Sequence, residues 1–280
     1  MKRSASTIIL FGLLAIAAVQ TVACAPARPV HAGEQPATGA AAPTTSAPPA
    51  PFAVSAPSCA EPTADLISAC DEAARRILAS TVRLEFHGPS GGIGHATVIG
   101  GRYLVTHNHY PVTAAALKSG GEGLVTAVSI YKANGEPVLT TAPLSYLTVV
   151  VEEPETLVLD FNVYGGIGFF DSLGVPSAEI NGNAGLGLLP GSEVAQIDWD
   201  GATAHVDWTR VITVHGGSPA RLETENFVEQ GASGGGVFHN GVHIGNNWTR
   251  QTDRLGSGEI VRQYSVAALN RSAGFAAVIN

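Results

Sequence analysis

Residues 229–238 read Glu-Gln-Gly-Ala-Ser-Gly-Gly-Gly-Val-Phe, and they place one serine in a glycine-rich turn that opens onto a strand. Glycine reaches backbone conformations closed to other residues, so such a turn can aim several amide N–H groups at one point. A hydroxyl beside converging N–H donors is what acyl transfer requires, because the attacked carbonyl oxygen becomes an anion. Glycine accounts for 33 of the 280 residues, so the turn alone is weak evidence for a site.

Short apolar strands separated by tight turns make up most of the chain after residue 80. Asn-Gly, Asp-Gly and Gly-Gly pairs stand between them, and such pairs favour the turns of β-hairpins. The candidate strands are 81–86, 95–99, 103–106, 124–131, 137–139, 147–151 and 156–161, then 193–198, 204–213, 220–224, 236–238, 243–246 and 260–266. They form two groups, residues 81–164 and 191–280, on either side of a glycine-rich joint at 165–190. This pattern predicts two β-barrels joined by a linker.

A short helix is predicted in the segment 58–80, before the first strand. Apolar residues recur at helical spacing through Asp65–Leu78. The chain has three cysteines, and an exported protein favours their pairing. We predict a disulfide between Cys59 and Cys70 at the start of this helix; the alternative is two separate buried thiols.

The first 23 residues have the pattern of an export signal. Lys2 and Arg3 precede the apolar run 8–19, which is too short to span a membrane comfortably. Thr-Val-Ala-Cys at 21–24 is similar to a bacterial lipobox, which predicts a lipid on Cys24; ordinary signal cleavage is the alternative. Residues 24–57 are rich in Ala, Pro and Thr and are predicted to be a flexible tether. The expected location is outside the cytoplasm, with the chain lipid-anchored at the cell envelope or secreted.

The net charge excludes one class of partner. It is −8 for the whole chain and becomes −10 when the two cationic residues of the signal are removed. Nothing in the sequence is basic enough to suggest a nucleic-acid partner. Contact with a membrane is expected only through the N-terminal lipid.

A second informative stretch is residues 94–109, which read Gly-His-Ala-Thr-Val-Ile-Gly-Gly-Arg-Tyr-Leu-Val-Thr-His-Asn-His. It is a strand, a tight turn, a strand, and a polar end with two histidines, and histidine titrates near neutral pH as a general base must. Together with residues 229–238 it resembles the trypsin-like (chymotrypsin-fold) serine peptidases, nearest to the bacterial HtrA-type and glutamyl-endopeptidase branches. In that family a Gly-x-Gly strand leads to Leu-Thr-x-x-His, and Gly-x-Ser-Gly-Gly carries the nucleophile. Five other histidines are interpreted as surface or hydrogen-bonded residues: His95, His205, His215, His239 and His243.

The resemblance implies two six-stranded antiparallel β-barrels and an exported serine endopeptidase that cleaves polypeptides through an acyl-enzyme. It makes Ser233 the nucleophile and His109 the base, with His107 two residues before it. The oxyanion hole would consist of the amides of Gly231 and Ser233. Ala232 stands where animal digestive relatives have an aspartate, so no activating cut is implied. Neither a metal nor an organic cofactor is implied.

The acid of the triad is open between three candidates. The family has it at the head of a strand, after a turn with proline, where it orients the imidazole. Glu155, which follows Pro154, matches that position and is preferred, although a glutamate departs from the usual aspartate. Asp160 lies at the far end of the same strand and is the first alternative, and Asp171 lies in the joint.

Substrate preference is implied only by position. Phe227, six residues before Ser233, would lie near the base of the first specificity pocket, and Asn247, Trp248 and Thr249 would line one wall. Because no acid stands at position 227, a preference for lysine or arginine is not expected. A small or apolar side chain is predicted.

Two rival interpretations remain. Residues 106–109 begin like the His-x-His-x-Asp-His zinc motif, but Pro111 and Val112 occupy the places of the next ligands. The other rival is a catalytically decayed, peptidase-fold binding module tethered to a membrane.

Overall fold

The computed structural model describes residues 58–108, 125–161, 168–180 and 187–270. The signal peptide and linker predicted for residues 1–57, the lipidation site Cys24 and the candidate base His109 lie outside the described residues. All the described residues belong to one compact unit. No helix within them has the length and apolar character needed to cross a membrane.

A helix, α1, precedes the strands and runs over Ile67–Ala79. Cys70 and Ile77 are its buried residues, so one apolar stripe faces the protein. The disulfide between Cys59 and Cys70 is present, with the two Cα atoms 5.6 Å apart. Both the helix and the cysteine pairing were predicted from the sequence, and both are confirmed.

The first module is a single antiparallel sheet of seven strands. They are β1 (Thr81–His87), β2 (Gly92–Ile99), β3 (Tyr103–Thr106), β4 (Ala127–Lys132), β5 (Pro137–Pro143), β6 (Leu147–Glu152) and β7 (Leu157–Phe161). The strands lie in the order β5-β4-β1-β2-β3-β7-β6. Their inward side chains, such as Leu84, Leu104 and Phe161, form the core. Among the described residues this sheet has one strand more than a six-stranded barrel and does not close.

The second module is a closed barrel of six antiparallel strands, as predicted. After the short helix α2 (Phe169–Ser172) come β8 (Glu193–Trp199), β9 (Ala204–His215), β10 (Arg221–Thr224), β11 (Gly236–His239), β12 (Val242–Arg254) and β13 (Ile260–Leu269). Around the barrel they lie in the order β10-β13-β12-β11-β8-β9. Val194, Leu222 and Ala267 belong to its core.

The two modules meet where the functional motifs lie. The amide N–H of His95, on β2, donates to the carbonyl oxygen of Ser233, just before β11, at 2.8 Å. β3 ends at Thr106, which pairs with Leu157 of β7. The end of β3, the start of β7 and the serine turn therefore lie at one boundary between the modules.

Candidate active site

The serine turn has a backbone that only glycine allows at two positions. Gly231 and Gly234 have φ values of +106° and +81°. A Cβ atom at Gly231 would lie 2.8 Å from Cδ1 of Trp199, and one at Gly234 would lie 2.2 Å from the carbonyl oxygen of His95. Both the dihedral angles and the close neighbours exclude a side chain here. Gly231 and Gly234, on either side of Ala232 and Ser233, are thus required by the structure of the turn.

The hydrogen bonds of the turn leave two amides unengaged. The amide N–H of Ala232 donates to Glu229, that of Gly234 donates to Asn247, and that of Gly235 donates to Ala232. The N–H groups of Gly231 and Ser233 donate to no other described residue. They are the pair for which the sequence predicted an oxyanion-binding role. Ser233 itself is partly exposed.

The end of β3 packs against this turn. The hydroxyl of Thr106 donates to the carbonyl oxygen of His95 at 2.6 Å. The ring of His107 is 2 % exposed, and its Cδ2 atom would lie 2.9 Å from a Cβ at Gly234. His109, the candidate base, follows two residues later and is outside the described residues. The structure therefore brings the strand that leads to His109, but not its imidazole, to the serine turn.

Glu155 lies in the loop that joins β6 to β7, and its side chain is 1 % exposed. Its Oε1 atom accepts a hydrogen bond from Nε of Arg221 at 2.6 Å, and Nη2 of the same guanidinium contacts that oxygen too. Its Oε2 atom is buried and has no hydrogen-bond partner among the described residues. The side-chain amide of Asn108 donates to the carbonyl oxygen of Glu153 at 2.6 Å, which ties the loop of Glu155 to the end of β3.

The other two candidate acids lie at the opposite end of this strand pair. Asp160 pairs with Tyr103 across the sheet, whereas Thr106 pairs with Leu157, so Asp160 is about 10 Å further along the strands. Its two carboxylate oxygens accept hydrogen bonds from one edge of the Arg102 guanidinium, Oδ1 from Nε at 2.7 Å and Oδ2 from Nη2. That hydrogen bond raises the pKa of Arg102.

Asp171 is exposed on α2. A Cβ atom at Gly101 would lie 3.0 Å from its Oδ2 atom, so it lies beside the β2–β3 turn. Of the three acids, only Glu155 lies near the end of the strand pair where β3 ends.

The predicted specificity residues have different surroundings. Phe227 is half-buried beneath the guanidinium of Arg250, 4.9 Å from the ring centroid. Asn247 is buried inside the barrel, where its amide donates to the carbonyl oxygen of Ile197 at 2.6 Å and accepts from Gln196 at 3.0 Å. These bonds hold β12 to β8 beneath the serine turn.

Trp248 and Thr249 are half-buried at the surface that follows Asn247 along β12. The guanidinium of Arg221 lies 5.1 Å from the ring centroid of Trp248. Arg221 thus connects the buried Glu155 to the wall predicted to hold substrate. Sequence reasoning did not single out Arg221, because no local motif marks it.

One further group could hold a metal ion. The ligand atoms of Asp198, His205 and Asp207 lie within 4.8 Å of one another. The Oδ1 atom of Asp198 already accepts the amide N–H groups of Trp199 and Glu229, at 2.8 and 2.7 Å. Burial raises the pKa of Asp198. The carboxylate is therefore engaged in fixing the backbone near the serine turn.

No family model matches the sequence, and no curated protein matches it. Solved structures do match. Deg5 is 19% identical with a TM-score of 0.51, and the match covers 68% of this chain and 88% of that one. The HtrA-type protease AlgW with a tripeptide is 15% identical with a TM-score of 0.49, covering 71% and 59%. The Rv3671c protease from M. tuberculosis in its active form is 17% identical with a TM-score of 0.49, covering 83% and 92%.

The chain spans about three fifths of the length of the AlgW chain that it matches. At these identities the matches report the fold. The closed six-stranded second barrel, the order of the elements and the match to Deg5 agree on it. The chain therefore has the chymotrypsin-like fold.

Proposed function

We propose that the chain is an exported serine endopeptidase with Ser233 as nucleophile, His109 as general base and Glu155 as the acid of the triad. The observation that carries this proposal is the serine turn. It presents a partly exposed hydroxyl beside two amides, of Gly231 and Ser233, that donate to no other described residue. The N–H of Ala232, between them, is engaged with Glu229, so the turn keeps two part-exposed donors available to a bound carbonyl oxygen.

The proposed cycle follows from these groups. His109 takes the proton of Ser233 while the Ser233 oxygen attacks the carbonyl carbon of the peptide bond. The amides of Gly231 and Ser233 hold the oxyanion, and the loss of one such donor typically costs about 3 kcal/mol of transition-state stabilisation. His109 then gives its proton to the leaving amine, and water hydrolyses the acyl-enzyme by the same steps.

The contacts of Glu155 support its place in the triad. A buried carboxylate with one oxygen paired to Arg221 and the other without a described partner needs a further donor. An imidazole N–H from the segment that follows β3 would supply it. The pairing of Oε1 with Arg221 also restrains the longer side chain of a glutamate in one position.

The substrate we propose is a polypeptide whose small or apolar side chain enters the pocket beside Phe227. Position 227 itself offers no acid to pair with a cationic substrate side chain, and the guanidinium of Arg250 lies over one face of its ring. We further propose that Cys24 is lipidated and anchors the chain at the cell envelope. Metabolic labelling of the full chain with a fatty acid in a bacterial host, lost in Cys24→Ser, tests the anchor.

A fluorophosphonate probe tests the enzyme directly, because it reacts with an activated serine and needs no known substrate. Wild-type protein should be labelled, and Ser233→Ala and His109→Ala should not be. His107→Ala is the matched control, and it should keep most of the labelling. Equal losses at the two histidines would contradict the choice of base. A folded wild-type protein that resists the probe would instead favour the decayed binding module.

A further inference from the structure

His95, on β2, is a fully buried histidine at the contact between the two modules. Its Nδ1 atom lies 2.9 Å from the carbonyl oxygen of Gly231, in the serine turn 136 residues later. Its ring packs on that of Trp199, with 5.1 Å between the centroids. The proposed catalytic cycle does not use this residue.

The chemistry of the contact fixes the tautomer of the ring. A carbonyl oxygen only accepts hydrogen bonds, so Nδ1 must carry the hydrogen. Burial lowers the pKa of His95 to about 4, so the ring is neutral at ordinary pH. Nε2 then holds a lone pair, and it has no hydrogen-bond partner among the described residues. The only ring donor is therefore committed to Gly231.

Three hydrogen bonds converge on this one residue. The ring donates to the carbonyl of Gly231, the backbone N–H donates to the carbonyl of Ser233 at 2.8 Å, and the carbonyl of His95 accepts the hydroxyl of Thr106 at 2.6 Å. His95 thus holds both residues whose amides are unengaged, and it holds the end of β3 as well.

We propose that His95 is a positioning residue for the oxyanion hole, acting through its Nδ1–H···O=C bond to Gly231; this inference rests on the proposed function. The peptide unit between Gly231 and Ala232 is the middle one of three, and its two neighbours carry the N–H groups that would bind the oxyanion. Gly231 has no side chain to limit its rotation, so the orientation of this unit needs an anchor from outside the turn. The bond from His95 supplies that anchor, and it aims both donors at one point.

Three substitutions separate the hydrogen bond from the packing. The side-chain nitrogen of asparagine lies as far from the backbone as Nδ1, so His95→Asn can still donate to Gly231. In His95→Gln the nitrogen takes the place of Nε2 instead, and His95→Leu has no donor. We expect His95→Asn to stay within about 5-fold of wild type, and the Gln and Leu variants to lose about 10–100-fold in kcat with little change in KM, because a misaligned donor is felt in the transition state.

A binding measurement distinguishes positioning of the oxyanion hole from a merely structural role of His95, which would leave it unchanged. A peptide boronate, whose tetrahedral adduct places an oxygen in the hole, should bind His95→Gln more weakly by the factor lost in kcat/KM. An uncleaved peptide should bind Ser233→Ala equally well with and without His95→Gln. Equal activity in the Asn and Gln variants, or an unchanged kcat in a folded Leu variant, would overturn the proposal.

The tautomer provides a test that does not depend on activity. A long-range ¹H–¹⁵N spectrum of the wild-type protein should show His95 protonated at Nδ1 alone, and protonation at Nε2 would refute the proposal. Fluorophosphonate labelling of wild-type protein separately tests the enzyme. An unlabelled protein with the expected tautomer would therefore refute the proposed function and leave the His95–Gly231 bond established, whereas a labelled protein with the other tautomer would refute only the inference.

Discussion

Replacing Gly234 by alanine tests whether the serine turn is built on close contact between the two modules. The new Cβ would lie 2.2 Å from the carbonyl oxygen of His95, 2.3 Å from Oγ1 of Thr106 and 2.9 Å from Cδ2 of His107. None of these atoms is the free end of a flexible chain, so the backbone must move. The φ of +81° adds a second cost.

Gly241 provides a matched control, because its φ is +78° and nothing would lie within 4 Å of a Cβ there. The positive φ alone costs about 1–2 kcal/mol for an L-residue. Forcing an extra carbon into a packed site adds about 1–3 kcal/mol. We therefore expect Gly241→Ala to lower the free energy of unfolding by about 1–2 kcal/mol and Gly234→Ala to lower it by about 2–5 kcal/mol.

Urea unfolding followed by tryptophan fluorescence measures both losses, and fluorophosphonate labelling reports the state of Ser233. Gly241→Ala should leave the labelling rate unchanged, whereas Gly234→Ala should abolish most of it even under conditions where the variant is folded. If the two variants lose the same stability and keep the same labelling, the contact between β2, β3 and the serine turn is not as close as the structure has it.

Three other outcomes are expected. Arg221→Met should destabilise the fold by about 3 kcal/mol in urea unfolding, because Glu155 is left buried without its partner, and Glu155→Gln in the same chain should recover much of that loss. The free energy of unfolding should fall as the pH decreases from 6.5 towards 4, because both buried histidines, His95 and His243, are protonated in the unfolded chain but stay neutral in the folded protein. In His95→Asn this fall should be smaller by about 3 kcal/mol. Reduction of the Cys59–Cys70 disulfide should lower the free energy of unfolding by about 3 kcal/mol, because the unfolded chain is then no longer restrained by a loop of this length.

The strands of the second barrel were predictable in number and place because an apolar run bounded by a turn marks each of them. Asn240 and Gly241 illustrate this: both have positive φ, and they connect β11 to β12 as an Asn-Gly hairpin should. The lengths of these strands were not predictable, since β12, predicted over residues 243–246, continues through a polar segment to Arg254. The first module was predictable in its strands, but the resemblance implied six of them in a closed barrel. The described residues form seven in an open sheet, with β5 and β6 at its two edges.

The contacts that shape the candidate site were not predictable, because they join residues far apart in the chain. His95 lies 136 residues before Gly231, and Glu155 lies 66 before Arg221. Periodicity indicates which face of a strand is buried but not which polar side chains meet across two modules. For that reason the sequence indicates no more for His95 than a surface or hydrogen-bonded residue, and it gives no sign of the role of Arg221.

The pairing of Glu155 with Arg221 suggests how a glutamate can serve as the proposed triad acid, where the peptidases that the sequence resembles have an aspartate. A longer side chain has more rotamers, and an acid that orients a histidine must occupy one of them. Arg221 approaches Oε1 through both Nε and Nη2, and Trp248 lies against its guanidinium, so the carboxylate is restrained from the side of the barrel where substrate binding is proposed. Arg221, which belongs to the second module, thus restrains the carboxylate of the longer glutamate side chain. Under the proposed function, the acid and the arginine therefore act as a unit. Glu155→Asp alone should lower kcat/KM, since the shorter chain cannot reach Arg221 and His109 together. That loss, expressed as a free energy, should exceed the fall in the free energy of unfolding measured in the same variant.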